Sequence, residues 1–151
     1  MWHEPRKTTR LRHYDYTNEN YYFITICTHH RKCLFGIGEQ KTTLGKIAQE
    51  HIKNIAAHYE SVIVDKAVVM PNHIHMILVL QRNGVIGAEQ IIAQYKAGVS
   101  REARKIIPDI QIWQRSFHDH IIRDEQGYQK IWQYIENNPQ KWEEDCFYRA
   151  Q

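Results

Sequence analysis

Between Ser61 and Leu80 the chain carries two apolar, β-branched runs with almost nothing between them. The first holds Val62, Ile63, Val64, Ala67, Val68 and Val69. The second runs from His73 to Leu80, and only Pro71-Asn72 separates the two. Short runs of this composition read as strands, and the Pro-Asn pair reads as a turn. If the turn is tight the two strands must lie antiparallel. A sheet is then obligatory, and the rest of the chain has to cover it.

The flanking segments supply the cover. Tyr21-Tyr22-Phe23-Ile24-Thr25-Ile26-Cys27-Thr28 is aromatic and β-branched, a further strand. From Leu44 to Tyr59 the apolar residues Leu44, Ile47, Ala48, Ile52, Ile55 and Ala56 recur at helical spacing, and from Ala88 to Lys105 a helix gathers Ile91, Ile92, Tyr95 and Val99 on one side. Trp113 to Arg123 reads as a last strand region, and Glu125 to Asn138 as a final helix whose continuation Pro139 limits. The order strand, helix, strand, strand, helix, strand is the split βαβ of an α+β, ferredoxin-like antiparallel sheet. Helices would cover one face. The other face, or a strand end beside it, would remain for a ligand and for the added C-terminal helix.

A chain of 151 residues suits one such domain, here residues 21–151 behind a basic arm at 1–20. No apolar run is long enough for a membrane span, and the polar N-terminus lacks a signal-peptide core. The three cysteines, Cys27, Cys33 and Cys146, show no close metal-binding spacing and fit reduced thiols. These features predict a cytoplasmic protein without a membrane partner. The net charge of +3 is only mildly basic, but Arg6, Lys7, Arg10 and Arg12 cluster at one end, near Tyr14 and Tyr16. That combination suits a phosphate backbone and stacked bases, although such tails are more often simply solvated.

Ten histidines is a high count for this length. On a strand, His73 and His75 share a face while Ile74 turns to the other. Two imidazoles on a stiff element can hold one divalent ion, yet an isolated His-x-His is more often a hydrogen-bonded surface pair. Tyr134 and Asn138 are neighbours on one face of the last helix. A phenol can serve as nucleophile, and an amide oxygen one turn away can complete a metal site. Taken alone, a packed tyrosine and a helix-ending asparagine are the commoner explanation.

The blocks around these residues resemble a known family. Met70-Pro71-Asn72-His73-Ile74-His75-Met76-Ile77-Leu78 looks like the His-hydrophobic-His motif of HUH nucleases, and Tyr134-Ile135-Glu136-Asn137-Asn138-Pro139 resembles the tyrosine motif of single-tyrosine transposases. Further blocks occur in the same order: Arg10 to Tyr16, Tyr22 to Thr28, Arg31 to Gly36, Trp113 to His120, and Trp142 to Asp145. Together they are similar to the REP-associated tyrosine transposases, of bacterial insertion-sequence type. The resemblance implies a magnesium or manganese ion held by His73, His75 and Asn138. It implies cleavage and rejoining of single-stranded, hairpin-associated DNA by Tyr134 through a 5′-phosphotyrosine link, and a nucleoid-associated location.

Arg10, Arg12, Lys96, Ser100 and Arg115 are candidate DNA-phosphate contacts, with Lys96 placed to neutralise a leaving oxygen and Arg123 a weaker candidate. Tyr128 and Tyr95 read as packing residues. His118 and His120 share a strand face and serve either DNA positioning or structure. Two other functions remain open: a zinc hydrolase with no role for Tyr134, which calls for a further His, Asp or Cys near the metal, and a domesticated DNA-binding module without catalysis. Monomer and homodimer are both allowed.

Overall fold

The computed structural model describes residues 19–81, 86–145 and 148. Strand β1 (Glu19–Cys27) leads through a 3-10 turn at His29–Arg31 into a small hairpin, β2 (Gly36–Ile37) and β3 (Gln40–Lys41). Helix α1 (Thr43–His58), strands β4 (Val62–Met70) and β5 (His73–Gln81), helix α2 (Ala88–Ala103), strand β6 (His118–Ile122) and helix α3 (Glu125–Asn137) follow. The four long strands form one sheet in the order β4-β5-β1-β6, with every neighbouring pair antiparallel. This is the ferredoxin-like order, with β1 and β4 as the split parallel pair and β5 between them. Among the described residues no helix is long and apolar enough to cross a membrane.

The turn at Pro71-Asn72 is as tight as its residues suggest, for Met70 already pairs with His73. Alternation along the strands divides the core between the two faces. Ile24, Ile26, Val64, Val69, Ile74, Met76 and Leu78 pack under α1 and α2, together with Ile47, Ile52, Ile91, Ile92 and Val99. Tyr21, Phe23, Val68, Ile77 and Val79 face the other way and take Tyr128, Ile131, Trp132 and Ile135 of α3. Each fully buried aliphatic side chain contributes roughly 1.5–3 kcal/mol, so both faces are anchored.

Caps set the helix starts. Thr42 accepts from the Gly45 amide and its hydroxyl donates to the Leu34 carbonyl. Asp124 accepts from the Gly127 amide at 2.7 Å. Two strand boundaries differ from the sequence expectation. The last strand begins at His118, because Trp113 makes only an isolated bridge to Thr28. Residues between them are held instead by the Lys96 ammonium, which donates to the carbonyls of Gln114 and Ser116. In β4 the register slips between Val64 and Lys66. At that bulge Asp65 is fully buried and accepts a hydrogen bond from the Tyr128 hydroxyl.

Candidate metal and nucleophile site

The β1–β5 register sets Thr25 opposite His75 and Cys27 opposite His73. Both imidazoles therefore lie on the α3 face, 4.6 Å apart between ring centres, and both are buried. Ile74 sits in the opposite core. The ring orientations are fixed from behind. The Asn72 amide nitrogen donates to the Arg31 carbonyl, so its oxygen faces His73 and accepts from Nδ1–H at 2.9 Å. The proton on Nδ1 leaves the Nε2 lone pair for a ligand. His75 Nδ1 is hydrogen-bonded to the Thr25 hydroxyl at 2.9 Å. Burial, then the neighbouring His73, lowers the His75 pKa to about 3, so this ring is neutral and able to coordinate at physiological pH.

The turn that carries Asn72 is itself clamped. Its carbonyl accepts from both the amide and the hydroxyl of Thr28. The adjoining His30 and Arg31 adopt positive φ values of 54° and 53°, a conformation L-residues avoid. That geometry presents the Arg31 carbonyl to Asn72.

Helix α3 brings Tyr134 over this face. Its ring lies 5.3 Å from His75 and 6.2 Å from Phe23, and 41% of the residue is exposed to solvent. One turn on, Asn138 is buried, and its Oδ1 has no hydrogen-bond partner among the described residues. Pro139 does not stop the winding. Asn138 keeps helical angles despite preceding proline, and the chain tightens into a 3-10 helix, Pro139–Glu144. This segment buries Trp142 beside His73, with ring centres 6.2 Å apart. Asp145 caps its end, and the Asp145 Oδ2 stands 3.5 Å from His73 Nε2.

One ligand atom from each of His73, His75 and Asp145 lies within 4.8 Å of the others. Two imidazole nitrogens and a carboxylate oxygen are a donor set that fits a divalent ion, and the buried Asn138 oxygen adds an acceptor close by. Tyr134, Asn137, Asn138, Lys141 and Asp145 line a cleft of about 170 Å³ that opens this region to solvent. Imidazoles, phenol and amide thus gather in one place, on two elements far apart in sequence.

The remaining sequence candidates are scattered. Arg10 and Arg12 lie outside the described residues. Lys96, Ser100, Arg101 and Arg104 line a separate basic groove along α2. Ser100 is mostly buried there, and Arg115 is exposed on the α2–β6 connection. Tyr128 is fully buried against Tyr21 and Asp65, and the buried Tyr95 hydroxyl donates to the Ala48 carbonyl, so both pack as expected. His118 pairs with Thr25 and His120 with Phe23, exposed at the sheet edge beside the site.

Sequence reasoning passed over Asp145, Lys141, and the supporting roles of Asn72 and Thr25. Thr25 could have been found, since a polar residue in an otherwise apolar strand has a partner to explain. Asp145 closes the Trp142-to-Asp145 block of the resemblance, but beside Glu143 and Glu144 nothing local marked it as a ligand.

The sequence model of the family described as Transposase IS200 like matches residues 16–138. A Haemophilus influenzae protein of uncharacterised function is 36% identical over 167 aligned positions, which cover 95% of this chain and 93% of that protein. A second H. influenzae protein, assigned as a REP-associated tyrosine transposase, is 28% identical over 141 positions, 84% of this chain and 74% of its own. Two solved structures share the fold. One, a REP-associated tyrosine transposase bound to a REP hairpin, has a TM-score of 0.61 at 22% identity, over 82% of this chain and 68% of its own. The other, a Deinococcus radiodurans protein assigned as a transposase, has a TM-score of 0.56 at 20% identity, over 83% and 94%.

Proposed function

The chain belongs to the IS200-like transposase family, and on that premise we propose that it nicks and rejoins single-stranded, hairpin-associated DNA through a covalent bond to Tyr134. The observation that carries this reading is the Tyr134 ring, 5.3 Å from His75 of the same chain and half open to solvent. The ring packs on Phe23 and His75, yet it leaves the residue 41% exposed beside a buried histidine pair, where a phenol nucleophile would have to stand. The solved relative bound to a REP hairpin supports the substrate class.

His73, His75 and Asn138 are the residues that would hold a divalent ion, magnesium or manganese. Such an ion polarises a scissile phosphate and offsets charge developing on it. The protein residues do the rest. The Tyr134 oxygen attacks phosphorus and loses its proton; the bond to the 3′-oxygen breaks, and that oxygen gains a proton. The products are a 5′-phosphotyrosine and a free 3′-OH. Attack by a 3′-OH on the same link reverses the step and rejoins the strands, because the link conserves the phosphodiester energy. Lys141, on the cleft wall, would pair with a phosphate oxygen. Arg10, Arg12, Lys96, Ser100 and Arg115 are proposed to contact the DNA backbone. Two Lys96 donors already serve Gln114 and Ser116, which leaves one of its three for phosphate.

Asp145 favours a second reading, a zinc hydrolase, because a two-histidine, one-carboxylate set also suits zinc with a water nucleophile. A single experiment separates the two. Labelled hairpin DNA is incubated with protein and manganese and run on a denaturing gel. A covalent adduct that vanishes in Tyr134→Phe supports the transposase; cleavage that survives Tyr134→Phe supports the hydrolase. Binding without cleavage under any metal would leave a DNA-binding module.

A further inference from the structure

We infer that Asp145 is itself a ligand of the divalent ion, which makes the site a two-histidine, one-carboxylate face selective for manganese- or zinc-class ions over magnesium. The inference rests on the metal reading above and adds a residue to it.

Distance comes first. Ligand atoms about 2.1 Å from one ion stand about 3.0 Å apart at octahedral angles and about 3.4 Å apart at tetrahedral ones. His73 Nε2 and Asp145 Oδ2 are 3.5 Å apart. That is long for a charge-assisted hydrogen bond, which closes to about 2.7–2.9 Å, and close to the spacing of two ligands on one centre. The third atom, from His75, completes a group within 4.8 Å.

The carboxylate is held by the fold. Both the His73 and the Asp145 side chains are shielded from solvent. Trp142 is wedged beside His73, and the Asp145 amide donates to the Trp142 carbonyl at 3.0 Å. The 3-10 helix after Pro139 thus delivers Asp145 to the imidazoles. The buried Asn138 oxygen, without a partner among the described residues, lines the same cleft as Asp145 and is the candidate for a fourth position.

Ligand type sets selectivity. Magnesium prefers an all-oxygen octahedron and keeps several waters. Imidazole nitrogens suit later first-row ions, and one carboxylate added to two of them accommodates manganese and zinc. The anionic oxygen also offsets part of the ion's charge in a buried site, which a neutral amide cannot do.

The test is direct metal binding by the full chain, read by the electron paramagnetic resonance signal of free manganese. Wild type should bind one ion, and magnesium should displace it only in large excess. Asp145→Asn, which keeps the shape and removes the charge, should weaken binding by at least about tenfold, the least that loss of even an outer-shell partner costs, with the melting temperature unchanged within a few degrees. Asp145→Cys should shift preference toward cadmium, since thiolate is soft; a purely structural role for Asp145 would not move that preference. Manganese affinity within twofold of wild type in Asp145→Asn, with His73→Ala and His75→Ala both losing the ion, would overturn the assignment and leave the metal reading standing. No binding by wild type would overturn both.

Discussion

The same substitution at two tyrosines of α3 should give opposite phenotypes. Tyr128 is fully buried, and its hydroxyl donates to the buried Asp65 carboxylate. Tyr128→Phe keeps the ring, its packing on Tyr21 and the core volume, so the loss centres on the hydrogen bond to Asp65, whose buried oxygen loses that donor. Leaving a buried acceptor without its donor costs about 1–3 kcal/mol. For a chain of 151 residues, each kcal/mol moves the melting temperature by about 2–4 °C, so a fall of roughly 6 °C is expected. Adduct formation should survive within a few-fold, because the ring that anchors α3 remains. Tyr134 is 41% exposed. Tyr134→Phe removes the hydroxyl of a partly exposed side chain and should change stability by no more than about 0.5 kcal/mol, while removing the proposed nucleophile altogether. Thermal unfolding by circular dichroism and a denaturing gel with labelled hairpin DNA measure the two effects. An adduct that persists in Tyr134→Phe, or Tyr128→Phe that melts with wild type yet forms no adduct, would refute the assignment of the two roles.

Further consequences follow from the residues behind the site. Asn72→Ala removes the acceptor that fixes the His73 tautomer, and Thr25→Val removes the partner of His75 Nδ1; each should weaken metal affinity by about 10–100-fold in a manganese titration. In metal-free protein, His75 resists protonation down to about pH 3 against an ordinary value of 6.5. Below about pH 6.5 the unfolded chain binds a proton that the folded chain does not. Stability is therefore intact above that pH and falls toward pH 3, by up to about 1.4 kcal/mol per pH unit from this group; denaturant unfolding of His75→Gln should show a shallower acid limb. Lys66 links β4 to α3 through Glu136 and lies 4.1 Å from the Trp132 ring centre. Lys66→Met should cost about 1 kcal/mol in chemical denaturation. Gly45→Ala would place a methyl 2.0 Å from the Phe35 carbonyl oxygen and should lower the melting temperature by several degrees, since backbone on both sides must move.

The sheet and its helices were legible because their signals are local. Alternation at period two separated Ile74 from the histidines, and helical spacing marked the buried faces of α1 and α2. What escaped was set by contacts between distant segments. The hairpin of β2 and β3 has strands of two residues, below any periodic window. The late start of β6 depends on a lysine of α2 holding the intervening carbonyls. The bulge at Asp65 is tied to a tyrosine on α3, and nothing within β4 announces it.

The site divides along the same line. His73 with His75 and Tyr134 with Asn138 could be read as pairs because strand and helix periods fix which neighbours share a face. Their meeting was not in either period; it came from α3 packing its apolar stripe across the strands that carry the histidines. Asp145 lay beyond both kinds of reasoning. Its position depends on Asn138 remaining helical where proline ordinarily forces extension, on the 3-10 winding that follows, and on Trp142 finding a seat beside His73. Each step is tertiary, so an acidic residue that looks like solvated charge in the sequence ends as a buried neighbour of the histidine pair. The physical signature of such a residue is the tryptophan that precedes it: a large apolar side chain in an otherwise polar, charged run must be buried somewhere, and it takes its neighbours with it.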